Sequence, residues 1–397
     1  MGDGAEVVVV GGGINGLSVA LHLAREGASR VVVIERSQLG AGATGKSGGM
    51  VRTHHCTEAE TELALEGLRD YRQWGDVVGG DCGFRAVGLL VIAPPERKLE
   101  LQRNIDLQRR LGIESDLISA AEAREIDPAL ELPAAVTHVA YEPGAGYVDP
   151  NLAVRTLAAA AVRAGVTIRV GVEVGAVLHA QDRVTGVITD EGLVSAPTVV
   201  VAAGAWANRV LGPLGIDLGV RPAIARVAVF PAPPARRWPH PTYLDDVRRS
   251  WYRPVAGAAT LAGVEPSFDR HPPVEAVGET VDERFVGTCA DALTERFPVM
   301  SAAGSRGGWT GAYMDSPDSR PVVGPLPPYD GLFAVTGDSG SSFKTAPAIG
   351  RRLAELIARG RSSGDDLAPF RAERFLAART PTVARIPQVK PRQVISR

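Results

Sequence analysis

Val7 to Val10 is an uninterrupted apolar run bounded by glycine, the mark of a strand buried on both faces of a parallel sheet. It leads into GGGINGLSVALHLAREGASRVVVIER, residues 11–36, where Leu17, Ala20, Leu21 and Ala24 share one helical face. Gly27 is placed to stop that helix, and Val31 to Ile34 gives a second strand with Glu35 at its end. Thr57 and Glu60 fit a capping pair, and Leu63, Leu68 and Tyr71 predict a helix reaching about Trp74. Residues 84–93 read as a strand, 96–111 as a charged surface helix, and LISAAEAREIDPAL as a short helix ended before Pro128. Residues 142–154 open a proline-started, alanine-rich helix closed by Gly165, and VTIRVGVEVGAVL then reads as a strand. TVVVAAGAWANRVL, residues 198–211, is a buried strand running into a small-residue turn. Alternating runs such as IARVAVF and ATLAGV follow within 221–306, and Ile349, Leu353, Leu356 and Ile357 set a last helix that Gly360 can close.

The first strand, helix and second strand carry chemistry. Gly11 suits a tight turn, Gly13 lets a pyrophosphate approach the backbone, and Gly16 lets the helix pack on the strand, with Ile14 and Asn15 at the helix start between them. Glu35 lies 19 positions beyond Gly16, where a carboxylate can accept ribose hydroxyls. The pattern predicts dinucleotide binding. A literal GxxxxGK[ST] also occurs from Gly40 to Ser47, but a nucleotide-hydrolysing loop must run into a helix, and Gly48 and Gly49 are poor helix starters. We read this stretch as a second loop on the same cofactor, with Lys46 near its phosphates.

The length of 397 residues suits two domains, and 43 basic against 45 acidic residues leave a net charge of -2, with no broad basic surface for nucleic acid. Three cysteines without close spacing argue against a disulfide framework or a zinc site and fit a reducing cytoplasm. No window approaches the length of apolar chain that crosses a membrane, so a soluble protein is expected. Residues 374–397 hold six lysines or arginines, no acids and three prolines, and the segment 376–397 reads as a flexible basic tail.

GxGxxG, then Glu35-Arg36 at a strand end, then the Gly/Ala/Ser/Thr-rich loop RSQLGAGATGKSGGMVRTHH leading to Arg52, resembles the flavoprotein family of D-amino-acid oxidase, glycine oxidase, sarcosine oxidase and dimethylglycine dehydrogenase, the sarcosine oxidase beta-subunit type most of all. The resemblance implies an α/β fold: a Rossmann-like FAD-binding domain of the glutathione-reductase type, interleaved with an antiparallel-sheet α+β substrate domain. Residues 1–80, 142–218 and 307–375 would form the first, and 81–141 and 219–306 the second. FAD would then lie along Gly11, Gly13, Ile14, Asn15, Gly16, Glu35, Arg36, Thr44, Gly45, Lys46, Ser47, Gly48, Gly49 and Met50. Val174, Ala203, Gly204 and Trp206 would meet it from the second cofactor segment, and Gly337, Gly340, Ser341, Ser342, Phe343 and Lys344 from the third. That last turn usually reads Gly-any-Gly-Phe-Lys in the family, and here Ser342 replaces the second glycine.

For substrate, the resemblance places Arg52 and Lys344 on a carboxylate, Tyr313 over the ligand, and Trp251, Tyr252 and Arg253 in a strand facing the flavin, without saying which of them points inward. His54 or His55 could keep an amine neutral, since histidine titrates near physiological pH. In monomeric sarcosine oxidase a cysteine two residues before the tyrosine of this region bonds the flavin; the matching position here is Gly311, so non-covalent FAD is expected. The same relatives carry an oxygen-promoting lysine in the WYRP region, and no lysine occurs here between Lys98 and Lys344, which leaves O2 and a carrier protein both open as acceptors. The expected reaction is oxidation of a C–N bond of a small amino acid or an N-alkyl or cyclic amine to an imine. A 2-hydroxy acid dehydrogenase and a non-catalytic FAD-binding subunit are the rivals. An NAD-dependent dehydrogenase would leave the second loop and the SGSSFK turn without a task. A homo-oligomer or a partner subunit is compatible with the pattern, and neither nucleic acid nor membrane is expected as a partner.

Overall fold

The computed structural model describes residues 4–234, 239–255, 258–265, 271–360 and 367–376. Apart from Leu376, which ends a short helix, the expected basic tail lies outside the described residues. Its first layer is a six-stranded sheet in the order Val322–Pro325, Leu332–Thr336, Thr198–Val201, Val7–Val10, Val31–Glu35, Thr167–Val170. All neighbours are parallel except Val322–Pro325, which runs antiparallel to Leu332–Thr336. Val7 to Val10 forms its centre, buried on both faces as an unbroken apolar run requires. The helices Ile14–Arg25, Pro150–Arg163 and Ser342–Arg359 supply Leu17, Leu157 and Leu353 to a core with Val9 and Val33. On the opposite face a three-stranded antiparallel sheet, Val174–Ala180, Arg183–Thr189 and Gly192–Ser195, packs Val177 and Val187 against Val8 and Val199. This is a Rossmann-like α/β arrangement.

The second sheet has eight strands in the order Gly308–Asp315, Arg221–Pro231, Ala259–Val264, Ser250–Val255, Thr242–Asp245, Leu89–Ile92, His138–Glu142, Asp116–Ser119. It is antiparallel except where Thr242–Asp245 runs parallel to Leu89–Ile92. Helix Glu283–Arg296 covers one face, with Phe285, Cys289 and Leu293 on Phe230, Tyr243 and Tyr252. Gly308–Asp315, assigned from sequence to the third cofactor segment, instead pairs along its length with Arg221–Pro231. Gly308 permits this, because a Cβ there would lie 1.9 Å from the Val227 carbonyl oxygen.

Two other expected elements divide. Residues 84–93 give Arg85–Ala86 in a small sheet with Met50–Val51 and Gly146–Tyr147, and Leu89–Ile92 in the large one. VTIRVGVEVGAVL breaks at Gly171, whose φ of 81° no strand residue adopts, so Thr167–Val170 ends the parallel sheet and Val174 begins the three-stranded one. The charged helix is Lys98–Arg110, preceded by a 3₁₀ turn over Pro95–Arg97. Among the described residues no helix is long and apolar enough to cross a membrane, and no three His, Cys, Asp or Glu converge as metal ligands.

Candidate active site

A cavity of about 650 Å³ runs from the carboxyl ends of the parallel strands to the face of the eight-stranded sheet. At its first end Gly11, Gly13, Ile14 and Asn15 line it together with Glu35 and Arg36. Gly11 has φ 112° and sits where a Cβ would be 2.4 Å from the Ala202 oxygen, so this turn admits only glycine. Gly16 is kept bare for a different reason: a Cβ there would lie 2.0 Å from the Gly11 oxygen, which fixes how closely helix Ile14–Arg25 approaches its strand. Glu35 accepts from Gly12 N at 2.7 Å and Ser37 N at 2.9 Å, and these bonds lock its carboxylate in place at the strand end. The Arg36 guanidinium lies 4.1 Å over the Trp206 ring, and Val174, Ala203 and Gly204 complete this end.

The loop after Glu35 forms the next stretch of wall. Thr44 Oγ1 accepts from Ile14 N at 3.1 Å, tying the loop to the helix start. Thr44, Lys46, Ser47, Gly48 and Met50 line the cavity, whereas Gly45 and Gly49 do not. Both serve the loop: a Cβ at Gly45 would lie 2.7 Å from the Gly40 oxygen, and one at Gly49 2.6 Å from the Val148 oxygen. No helix follows Ser47; the chain enters strand Met50–Val51, which removes the nucleotide-hydrolysing reading. Lys46 is engaged by Glu279 at 3.0 Å, and its main-chain oxygen takes the Trp309 Nε1 hydrogen bond at 2.8 Å. Its ammonium thus has a surface carboxylate as partner while the residue lines the cavity.

At the far end Arg52 and Lys344 line the cavity with Tyr313, Trp251 and Met50. Lys344 Nζ donates to Ser341 O at 2.9 Å, and Arg52 Nη1 donates to His54 O. Burial first, and then the Arg52 charge, hold the Lys344 ammonium well below its usual pKa. Glu142, a buried carboxylate whose charge acts on both cations, accepts from Thr53 N at 2.9 Å and Thr53 Oγ1 at 2.8 Å, and burial raises its pKa. Two cations therefore share a desolvated pocket end, and the hydrogen bonds that hold their heads go to main-chain oxygens. Ser342, the departure from the usual glycine, connects the two loops: it accepts from Asn15 Nδ2 at 3.0 Å and donates to Asp338 Oδ2. Gly337, Gly340, Ser341, Ser342 and Phe343 all line the cavity.

Three expected site residues lie elsewhere. His54 is buried with Nδ1 3.3 Å from Gln108 Oε1 and Nε2 3.2 Å from Asn104 Nδ2, so both ring nitrogens are occupied. Burial, and secondarily Arg52, lower its pKa to about 4. Tyr252 is fully buried, with its hydroxyl 2.7 Å from Ser250 Oγ and its ring edge-on to Tyr243 and Phe297. Arg253 is buried over the Tyr147 ring at 4.6 Å and donates to Pro254 O at 3.0 Å. Trp251 is the residue of this strand that reaches the cavity, and its indole fits against Gly48 and Gly263, where a Cβ would lie 3.0 Å and 2.3 Å from the ring. Strand alternation predicts that Trp251 and Tyr252 part company without saying which goes inward. Asp338, Arg226 and Glu279 also line the cavity and were not singled out from sequence. For Asp338 the signal was available, as a carboxylate immediately before the SGSSFK turn; for the other two no local pattern marks them.

Residues 6–356 match the DAO family, described as FAD dependent oxidoreductase. The chain belongs to this family of FAD-dependent oxidoreductases. It is 31% identical to the uncharacterized oxidoreductase YurR of Bacillus subtilis, over 91% of this chain and 97% of that protein. It is 28% identical to 4-methylaminobutanoate oxidase (formaldehyde-forming) of Paenarthrobacter nicotinovorans, over 93% of this chain but 45% of that protein. Against mouse mitochondrial dimethylglycine dehydrogenase the identity is 27%, and the chain spans 43% of that relative, so it covers under half the length of both. Among solved structures, L-proline dehydrogenase from P. horikoshii superposes with a TM-score of 0.86 at 26% identity, covering 95% of this chain and 99% of that one.

The cavity of this family member fits FAD. Helix Ile14–Arg25 starts without a side-chain cap or an acidic residue in its first turn, which suits an anion. Asn15 Oδ1 and Thr336 Oγ1 are buried on cavity-lining residues without a hydrogen-bond partner, as a polar ligand would require. Gly11, Gly13, Ile14 and Asn15 would hold the phosphates, Glu35 a ribose, Arg36 and Trp206 the adenine end, and Gly48 to Met50 with Gly337 to Lys344 the flavin end.

Proposed function

We propose that this chain oxidises a C–N bond of a small amino acid bearing an N-alkyl or cyclic amine, leaving an imine. The observation that carries the reading is the pairing of Arg52 and Lys344 at one end of the cavity, each held by a main-chain oxygen. Two cations so arranged, Lys344 buried and Arg52 half-buried, call for an anion, and a planar carboxylate suits a guanidinium beside an ammonium. Bound FAD supplies the two-electron acceptor that a C–H hydride needs. The chain's own part is to fix the carboxylate at Arg52 and Lys344, to face the reacting carbon with Trp251 and Tyr313, and to exclude water. The names of its relatives, among them sarcosine dehydrogenase and L-proline dehydrogenase, support N-methyl and cyclic amino acids as the class to try first.

FAD is held without a covalent bond in this reading. Cysteine and histidine are absent from the cavity lining among the described residues, and a side chain at Gly311 would meet Lys46 Cβ at 3.0 Å. The test is anaerobic mixing of the purified holoprotein with sarcosine, dimethylglycine, 4-methylaminobutanoate and L-proline, each beside its methyl ester. Loss of the flavin's long-wavelength absorbance with an acid but not with its ester supports the reading, and FAD in the supernatant after acid precipitation supports non-covalent binding. Bleaching by 2-hydroxy acids alone would refute the amine assignment.

A further inference from the structure

We propose that Tyr71 is a positioning residue for Lys344, acting through a backbone carbonyl that Pro347 leaves without a helical donor. The inference rests on the reading of Lys344 as a carboxylate-binding group. Helix Ser342–Arg359 contains Pro347. In a regular helix the Phe343 carbonyl would accept from the N–H of residue 347; proline has none, and its ring also crowds that oxygen. Tyr71, 1% exposed, fills the vacancy by donating its hydroxyl to Phe343 O at 2.7 Å. Its ring stacks on Trp74 and Phe343 at 5.1 and 5.8 Å between centroids, which restrains the hydroxyl.

One turn earlier in the same helix, Glu58–Arg72, Gly67 stands where a Cβ would lie 1.9 Å from Lys344 O. That helix therefore touches the main chain of both residues at the lysine's turn, with a hydroxyl on one carbonyl and a bare α-carbon against the next. Farther along, Glu66 accepts from Arg351 Nη2 at 2.8 Å and Arg352 Nη2 at 2.5 Å, and Asp70 accepts from Arg351 Nη1 at 2.8 Å, which keeps the two helices in register. The height of the Lys344 side chain in the cavity is thus set from outside the cavity. An unsatisfied Phe343 carbonyl would be free to tilt that turn toward another donor.

The experiment titrates the holoprotein with acetate, followed by perturbation of the flavin spectrum, with acetamide as the uncharged control, and records thermal unfolding of each variant. Lys344→Met should weaken acetate at least tenfold, and Tyr71→Phe roughly fivefold or more, with acetamide unchanged in both. Pro347→Ala returns an N–H to the helix, so Tyr71→Phe in that background should alter acetate binding less than twofold. In the Lys344→Met background Tyr71→Phe should add nothing. If Lys344→Met weakens acetate while Tyr71→Phe does not, the positioning role is overturned and the carboxylate reading survives. A persistent loss in the Tyr71→Phe, Pro347→Ala double variant overturns it equally, since packing rather than the carbonyl would be at fault. Should Lys344→Met bind acetate normally, the carboxylate reading falls and this inference with it. Should Tyr71→Phe fail to fold, recovery of folded holoprotein by added Pro347→Ala supports the inference, and continued failure refutes it.

Discussion

Raising the pH tests Lys344 directly. Burial and the Arg52 charge depress its pKa, so its folded value lies below that of an exposed lysine near about 10.4. A carboxylate placed against it favours the ammonium, so binding should raise that pKa and take up a proton wherever the free protein has lost it. One charged hydrogen bond is worth about 1.5–3 kcal/mol. At about 1.36 kcal/mol per tenfold, that is about 10- to 150-fold in affinity between the charged and the neutral lysine. Acetate should bind with a pH-independent Kd on the acid side of the depressed pKa, weaken about tenfold per pH unit through the window between the free and the bound pKa, and level off about 10- to 150-fold weaker. Lys344→Met should show the weak plateau at every pH, and Lys344→Arg should move the fall out of the measurable range. The assay is acetate titration by flavin absorbance, with calorimetry in buffers of different ionisation enthalpy to count the proton. A wild-type Kd that is flat in pH and equal to that of Lys344→Met, or proton release on binding, would refute the assignment.

The linkage sign gives a second readout on the ligand-free protein. The unfolded chain binds a proton at this lysine up to its ordinary pKa, while the folded chain loses it earlier, so folding stability attributable to Lys344 rises with pH across that interval. Below the depressed value the folded state carries the full penalty of a buried ammonium beside Arg52. Lys344→Met should therefore melt higher than wild type at neutral pH, and the gain should shrink as the pH rises.

Burial also depresses His54 to about 4 and His22 to about 3, and both are neutral in the fold. Stability should fall as pH drops from about 6.5 toward these values, by up to about 3 kcal/mol for His54, and denaturant unfolding of His54→Gln should show a smaller fall. The pH profile of turnover should be the same in His54→Gln as in wild type, since neither ring nitrogen faces the cavity; a lost acidic limb would restore the histidine as a base. Glu35→Gln keeps the shape but removes the charge that braces Gly12 N and Ser37 N. FAD fluorescence on dilution should report a Kd at least about tenfold higher, and unchanged FAD retention would contradict the role given to that strand end.

What could be read from the sequence was what lies close in sequence. The first strand, helix and strand place Gly11, Gly16 and Glu35 by local rules, and in the structure the two glycines stand where a Cβ would strike a main-chain oxygen while Glu35 holds Gly12 N at the strand end. Arg52 was legible only by likeness, because nothing around it says that the buried carboxylate 90 residues on, Glu142, is occupied by Thr53 and leaves the guanidinium to face the cavity. His54 misled for the same reason: its partners Asn104 and Gln108 sit on a helix 50 residues later, and an isolated histidine in sequence looks alike whether both nitrogens are occupied or bare. Tyr252 and Trp251 show the limit of periodicity, since alternation fixes a relation between neighbours and the choice of face belongs to Gly48 and Gly263, on two other segments. Ser342 is the sharpest case. It stands as a departure from the family's glycine, yet its hydroxyl accepts from Asn15, 327 residues earlier, and donates to Asp338. Asp338 and Ser342 are both unremarkable alone; together they bind the start of helix Ser342–Arg359 to the start of helix Ile14–Arg25. That junction fixes the turn that carries Lys344, so the departure from the family pattern belongs to the positioning of the site.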